Sequence, residues 1–585
     1  MSLLQVWHLL LPVDGRALGF LLALSGLGWY ASRRSLTRGE RTPVFGLAAL
    51  ACAALWLADR AIGPAHAYDS ANYHLPLIRW FNRFPIVPGL ANLSPVYGVN
   101  LSGLLVPAAL ETGPGLGRSS HFVNGFLVFL LLLLLVRMLS RRTAGGAPTA
   151  SQLAAVCFLY PTITFLYRGD GTWISSPATD VPVTVVVFAA CTLAFEAYGV
   201  RRESGGGDPQ LFMALALLAV TPCLKTTAAV FAAAAWFALA GAWALRQRPR
   251  PRRLAGAILF ATLAIGPWLV RSAVLSGYPL YPSSFAALDA DWRLPLEHVE
   301  GVVWWTRAYT RTPEAWDLMV SQEGASWLPY WLNTELRTAL HEVLVPAALS
   351  VFWLVLWLAR GRPGQEPRPP LLLPLAVAIP AWFLLAPATR YGLFLFWALC
   401  AQAAAAYLAP ALKELPRPRA ALAALALFSV LAPLALHAYY TVKYRGDVPL
   451  LATLRHELWT DPGPDHGFHP LYKPLLDRVT VCRDLDVYVP AARAAVRSAA
   501  PWPDTLPWDG PLPATALLYD GLCLRRPGDL EGGFRTEPRG LSWPARNASA
   551  VAAVRRRTGW GLGRLAVYFC VRPELIRESL RRAAP

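Results

Sequence analysis

Asp69, Tyr73 and His74 place a carboxylate, a phenol and an imidazole close together in the stretch YDSANYHLPLIRWFNRFPIVPGLANLSPVYGVN, Tyr68 to Asn100. A carboxylate there could take a proton from a hydroxyl or orient a substrate. It could equally satisfy the free N–H groups of a helix start. His74 reads either as a hydrogen-bonded surface histidine or, with Tyr73, as a contact to substrate. A second acidic loop reads RGDGTWISSPATDVP, with Arg168 before it and Asp170 and Asp180 flanking it. Each of these acids either closes a turn or caps a helix, or else binds sugar hydroxyls or lends an oxygen ligand to a metal. Four cations, Arg168, Lys225, Arg271 and Arg390, stand at the ends of apolar stretches. Lys225 is the only charge between Leu211 and Leu245. A lysine at a helix centre in a membrane costs roughly 2.5–3.5 kcal/mol unless it snorkels or is paired. Its partner is either the phosphate of an anionic ligand or one of the acids Asp69, Asp170 and Asp180. Arginine's fork suits bidentate phosphate contact, which gives Arg271 and Arg390 the same reading.

The elements that must hold these residues are apolar. Charged residues make up 15% of the chain, against roughly 25% in soluble domains, and apolar residues 55%, with 23 tryptophans. Runs such as Ser120 to Val136 and Leu254 to Val270 carry no charge and approach the length that crosses about 30 Å of hydrocarbon. Twelve spans are expected, near 16–31, 43–62, 119–138, 150–167, 180–199, 210–224, 226–245, 254–275, 343–359, 370–386, 391–410 and 420–440. The net charge of +18 could suggest nucleic acid, but its distribution argues against that. Every second connection is basic, from Arg33/Arg34/Arg38/Arg41 to Lys413/Arg417/Arg419, and short basic loops stay cytoplasmic. The intervening connections, including 63–118, 168–179 and 276–342, therefore face outward. So does the tail, 441–585. Asp69 is thereby expected on the extracytoplasmic face.

An interfacial helix is expected over Ser70 to Phe84, aromatics down in the headgroup layer. Short helices covering a cavity are expected in the aromatic third loop, because a structureless loop of that length is unusual. The start, MSLLQVWHLLLPVDGR, has no evident cleavable signal and reads as a short interfacial helix. Cys52, Cys157, Cys191, Cys223 and Cys400 lie in spans. Cys482, Cys523 and Cys570 lie in the tail, where one disulfide is expected without the pair being specified. There is no C-x-x-C, H-E-x-x-H, P-loop or G-x-G-x-x-G, so zinc and nucleotide modules have no support.

These residues resemble the many-span membrane glycosyltransferases of the C superfamily, which use lipid-linked sugar donors and keep a catalytic Asp in the first large outer loop. The match is to a bacterial branch, related to the mannosyl and aminoarabinose transferases, with a D-x-x-x-Y-H-L-P signature: here Asp69, Tyr73, His74, Leu75 and Pro76. GPWLVRSAVLSGYPLYP (Gly266 to Pro282), APATRYG (Ala386 to Gly392) and LKTT (Leu224 to Thr227) are similar to further family segments, as are PWDGPLP and GDLEGGF in the tail. The resemblance implies an all-α polytopic protein of the bacterial inner membrane, with interfacial helices. Residues 1–440 would form its transferase-like part and 441–585 a small extracytoplasmic domain. It implies Asp69 as general base and Tyr73, His74, Asp170 and Asp180 as substrate or acceptor contacts. Lys225, Arg271, Arg390 and Arg168 would be donor-phosphate ligands. The donor would be a polyprenyl-phosphate-linked sugar and the acceptor a hydroxyl on a lipid, polysaccharide or protein. Ser70 stands where some relatives carry a second acid, so a divalent metal is disfavoured and no cofactor is expected. Two readings compete: a transporter or flippase of a lipid-linked or anionic substrate, and a non-catalytic envelope assembly factor.

Overall fold

The structure, a computed structural model, describes residues 1–36, 43–65, 67–141, 148–167, 172–199, 208–247, 251–322, 324–359, 369–444, 476–482, 485–490, 511–515, 522–537 and 542–583. Its bulk is a bundle of apolar helices. Among the described residues seven helices are long and apolar enough to cross a membrane: Val44–Ile62, Ser119–Ser140, Asp180–Gly199, Thr226–Leu245, Pro251–Ser276, Thr389–Lys413 and Pro418–Tyr439. An eighth is a bent pair, Leu328–Leu336 and Leu340–Leu356, which turns by 94°. The chain is thus a helical, membrane-embedded protein. The remaining stretches expected to span are also helical, but three of them, Ala150–Thr164, Pro209–Leu224 and Leu372–Leu385, are short. At 1.5 Å per residue, helices of this length reach only about 21–24 Å, less than the hydrocarbon thickness. Twelve full crossings are therefore not established by length.

Burial sorts the bundle into centre and rim. Asp180–Gly199 and Thr389–Lys413 are 78% and 72% buried along their apolar windows, whereas Pro418–Tyr439 is 17% buried. The two central helices pack on Ala150–Thr164, which starts from a capping box in which the Thr149 and Gln152 side chains each bond the other's backbone N–H. Such a box satisfies two of the free donors at a helix start. The core they share includes Phe158, Phe188, Phe231, Phe394 and Trp397.

The first loop departs from expectation. Ser70–His74 is a turn of π-helix that runs into the α-helix Leu75–Arg83. This helix does not lie on the membrane with its aromatics down. Leu77, Trp80 and Phe81 are at most 2% exposed and pack among Leu4, Val13, Leu485, Val487 and Phe534. The apolar face that the sequence pattern offered to lipid is taken by the N-terminal helix Ser2–Leu10 and by the tail.

The tail adds two small sheets to this predominantly helical chain. Antiparallel strands Leu476–Cys482 and Leu485–Pro490 form one hairpin, and Leu522–Leu524 pairs with Phe534–Thr536 in a second two-stranded sheet. The Cys482–Cys523 disulfide joins the two sheets, and Cys570 is a buried free thiol. The tail clasps the first and third loops. Phe534 N–H donates to Pro88 O at 3.0 Å, and the Tyr97 hydroxyl donates to Ala514 O at 2.9 Å. Gly89 permits this approach. It has φ +65°, and a Cβ there would collide with Phe534 O and Trp292. Three helices, Trp543–Thr558, Leu562–Phe569 and Pro573–Arg582, follow. They dock on the third-loop helix Leu296–Arg311, where only glycine at 301 leaves room for the Cys570 carbonyl.

A charged cluster above a stacked cavity and groove

Four residues at helix ends meet. Asp180 opens Asp180–Gly199, an acid in the first turn, where the helix dipole favours it. Arg390 lies in the first turn of Thr389–Lys413. Lys225 occupies an extended position, φ −157° and ψ 123°, between Asp208–Leu224 and the turn Thr226–Ala228. Asp69 lies in the first loop just before Ser70–His74, with helical φ −62° and ψ −33°. Its side chain makes no capping hydrogen bond, so the helix-cap reading of Asp69 fails.

The cluster alternates in charge. Lys225 pairs with Asp180. Arg390 reaches Asp180 through Nε at 3.8 Å and Asp69 through an Nη at 3.8 Å. Tyr391 completes it: the Lys225 ammonium lies 4.1 Å from its ring centroid, and an Arg390 Nη donates to its hydroxyl at 3.4 Å. Lys225 thus has a protein partner rather than an empty position awaiting an anion. Of the alternatives left open by the sequence, pairing with Asp180 is the one realised. The two Arg390 contacts are long, so that guanidinium is the more available of the two cations. Tyr391 adjoins Arg390 in the ATRYG segment and could have been picked out there.

The Tyr73 and His74 rings pack edge to face, centroids 4.4 Å apart. His74 Nδ1 is 3.1 Å from the Ser70 hydroxyl. Burial lowers the His74 pKa to about 4, against the opposing pull of Asp69. It is therefore a neutral core histidine. The Tyr73 hydroxyl is pushed well above the usual phenol range by burial and by the Asp69 and Tyr391 charges, which keeps it protonated and able to donate.

Arg271 does not join this set. It is fully buried and donates to His8 Nδ1 and, through Nε, to Asn100 Oδ1 at 3.2 Å. Its guanidinium lies over the Phe81 ring at 5.3 Å. Burial, with Arg271 beside it, holds the His8 pKa well below the usual histidine range. Arg271 thus ties the N-terminal helix and first loop to Pro251–Ser276. Arg168 and Asp170 lie outside the described residues.

Beside the cluster is a cavity of about 540 Å³. Arg390 and Thr389 form one wall; Tyr309, Glu335, Thr338, His341 and Glu342 line the rest with Thr164, Tyr167 and Trp173. The third-loop helices cover it, as the sequence suggested. Glu335, His341 and Glu342 carry no signal of this role in the sequence. They belong to the bent helix pair, and nothing in local spacing says that this pair folds back over the cavity. Among the described residues no group of three or more His, Cys, Asp or Glu side chains could hold a metal ion.

A second, apolar groove of about 620 Å³ continues along the same helices. Leu153, Val156 and Tyr160 line it from Ala150–Thr164, and Trp397, Cys400, Ala404 and Leu408 from Thr389–Lys413. Tyr160 and Trp397, which line the groove, both bond His341, which lines the cavity. Tyr160 hydroxyl and His341 Nδ1 are 3.0 Å apart, and Trp397 Nε1 donates to His341 O at 2.8 Å. A polar chamber and an apolar channel are thus stacked end to end on one pair of helices.

No curated protein and no solved structure matches the sequence. Residues 1–397 match the family described as a domain of unknown function, DUF8201. That stretch holds Asp69, Tyr73, His74, Asp180, Lys225, Glu335 and Arg390 together, and the chain belongs to this family.

Proposed function

We propose that the protein is a membrane glycosyltransferase that moves a sugar from a polyprenyl-phosphate donor to an acceptor hydroxyl on the extracytoplasmic face. The observation that carries this reading is the stacked pair of spaces. The polar cavity has an arginine on its wall and a volume of about 540 Å³, within the range of small-molecule sites. The groove below it suits a prenyl chain, and both are built on the same two helices. An amphipathic substrate fits such a site with its sugar phosphate in the cavity and its chain in the groove.

In this reading the donor phosphate binds Arg390 and draws it off Asp69, whose contact is already long. The freed Asp69 carboxylate takes the proton of the acceptor hydroxyl. The acceptor oxygen forms a bond to the anomeric carbon while the bond from that carbon to the phosphate oxygen breaks. Polyprenyl phosphate leaves with the electron pair, its charge stabilised by Arg390, with Lys225 one ion pair behind. Preorganised charges aimed at a leaving group are the usual source of such rate enhancement. The basic connections would be cytoplasmic, and the Cys482–Cys523 disulfide supports an oxidising compartment for the tail. Purified protein in nanodiscs, given radiolabelled polyprenyl-phosphate sugars, is expected to transfer label. Asp69→Asn should lower the rate by about 10²–10⁴-fold at unchanged thermal stability. Full transfer by Asp69→Asn removes Asp69 as the base.

One observation favours a second reading, a transporter of lipid-linked substrates. The bent pair Leu328–Leu336 and Leu340–Leu356 is a broken apolar helix, a feature that lines binding sites in transporters. Movement of a labelled lipid between leaflets in proteoliposomes, without covalent transfer, would select it.

A further inference from the structure

The helix Thr389–Lys413 enters the bundle without an N-cap side chain: Ala388 holds that position and offers no capping hydrogen bond. Ala388, Thr389 and Arg390 at its start all line the polar cavity. Free N–H groups at the start of a long helix attract an anion, and Arg390 adds a full charge. One group already stands there. Glu335 lines the same cavity as Thr389 and Arg390, near enough for the Thr389 amide and hydroxyl and the Arg390 charge to favour its ionised form. It is borne by Leu332–Leu336, on the first limb of the bent pair. The cavity beside the helix start therefore already holds a carboxylate that is part of the chain.

We infer that Glu335 is a specificity-determining residue, a tethered anion that keeps free phosphate out of the cavity and yields only to a phosphate attached to an apolar chain. The inference rests on the reading of the site as one for a lipid phosphate. A tethered carboxylate competes as if present at millimolar concentration or above. Inorganic phosphate, with nothing else to bind, must overcome that competition by its charge alone. A lipid phosphate also brings its chain into the groove, and burial of that chain favours exchange by roughly 25 cal/mol for each Å² removed from water. The 94° bend at 337–339 is where the limb carrying Glu335 would pivot as the carboxylate leaves.

The test uses the full chain in nanodiscs and a fluorescent polyprenyl phosphate, displaced by inorganic phosphate. For the wild type, inorganic phosphate should displace the probe only weakly. In Glu335→Gln its apparent affinity should rise by about tenfold or more, the factor that accompanies about 1.4 kcal/mol. Equal phosphate sensitivity in the two proteins overturns the inference. A second measurement needs no variant. Carbodiimide labelling of Glu335, read by mass spectrometry, should increase when polyprenyl phosphate binds and stay unchanged with inorganic phosphate. Labelling that ignores the lipid also overturns it. Arg390→Gln separates this from the underlying reading. If that variant binds the fluorescent lipid as tightly as wild type, the phosphate site itself is misplaced. If it loses the lipid while Glu335→Gln gains no phosphate sensitivity, only the role of Glu335 fails.

Discussion

At the residue scale the charged cluster makes distinct demands on its members. Lys225 and Asp180 are a buried pair, each side chain about one-tenth exposed, and removing one partner of such a pair costs about 3–5 kcal/mol. Arg390 remains near Asp180 after Lys225 is lost, so Lys225→Met should cost about 3 kcal/mol, at the lower end of that range. The double variant Lys225→Met/Asp180→Leu should recover most of it, as measured by thermal unfolding in detergent. An additive loss in the double variant would contradict the pairing. His74 makes a demand on pH. Its pKa falls from 6.5 to about 4 on burial, so the folded state holds it neutral while the unfolded chain protonates it. The stability this neutral histidine contributes is complete above pH 6.5 and declines as pH falls towards 4. The decline amounts to at most about 3 kcal/mol, at 1.36 kcal/mol per pKa unit. His74→Gln should flatten the fall in melting temperature across that window. An unchanged slope would mean that His74 is not the group responsible.

At the element scale, a helix on the rim of the bundle can be altered without disturbing the centre. Ala435 lines the groove from Pro418–Tyr444, whose apolar window is only 17% buried. Ala435→Trp should fill the groove, raising KM for a lipid-linked donor by about tenfold, or 1.4 kcal/mol, while leaving the melting temperature within a degree or two. A KM that does not change would argue that the chain binds elsewhere. Much of this element layer was readable beforehand. Each stretch expected to span is a helix, because long apolar runs can satisfy their backbone only in that way. Asp69, Asp180, Lys225 and Arg390 were conspicuous as charges at the ends of such runs, and the structure brings these four together. What was not readable depends on distant segments. Arg271 looked like its neighbours, but its partner His8 lies 263 residues away. The helix Leu75–Arg83 looked interfacial because only the fold shows Leu485, Val487 and Phe534 covering it. Glu335 looked like an ordinary loop acid until the bent pair set it against Thr389.

At the scale of the whole molecule, the tail acts as a clasp. Its two sheets, joined by Cys482–Cys523, bind the first loop through Pro88 and Tyr97 and the third through Asp291, which pairs with Arg525 at 2.8 Å. The loops that carry Asp69 and cover the cavity are thereby held against each other, and the bundle beneath supplies the cavity and groove. The central claim is that this arrangement seats one amphipathic molecule, head above and chain below. The most direct measurement is photo-crosslinking with a polyprenyl phosphate that carries a diazirine in its prenyl chain, mapped by mass spectrometry on the intact protein. The account predicts adducts on groove residues such as Trp353, Trp397 and Tyr439, suppressed by unlabelled polyprenyl phosphate and reduced in Arg390→Gln. Adducts scattered over the lipid-facing surface, with no competition and no dependence on Arg390, would contradict it.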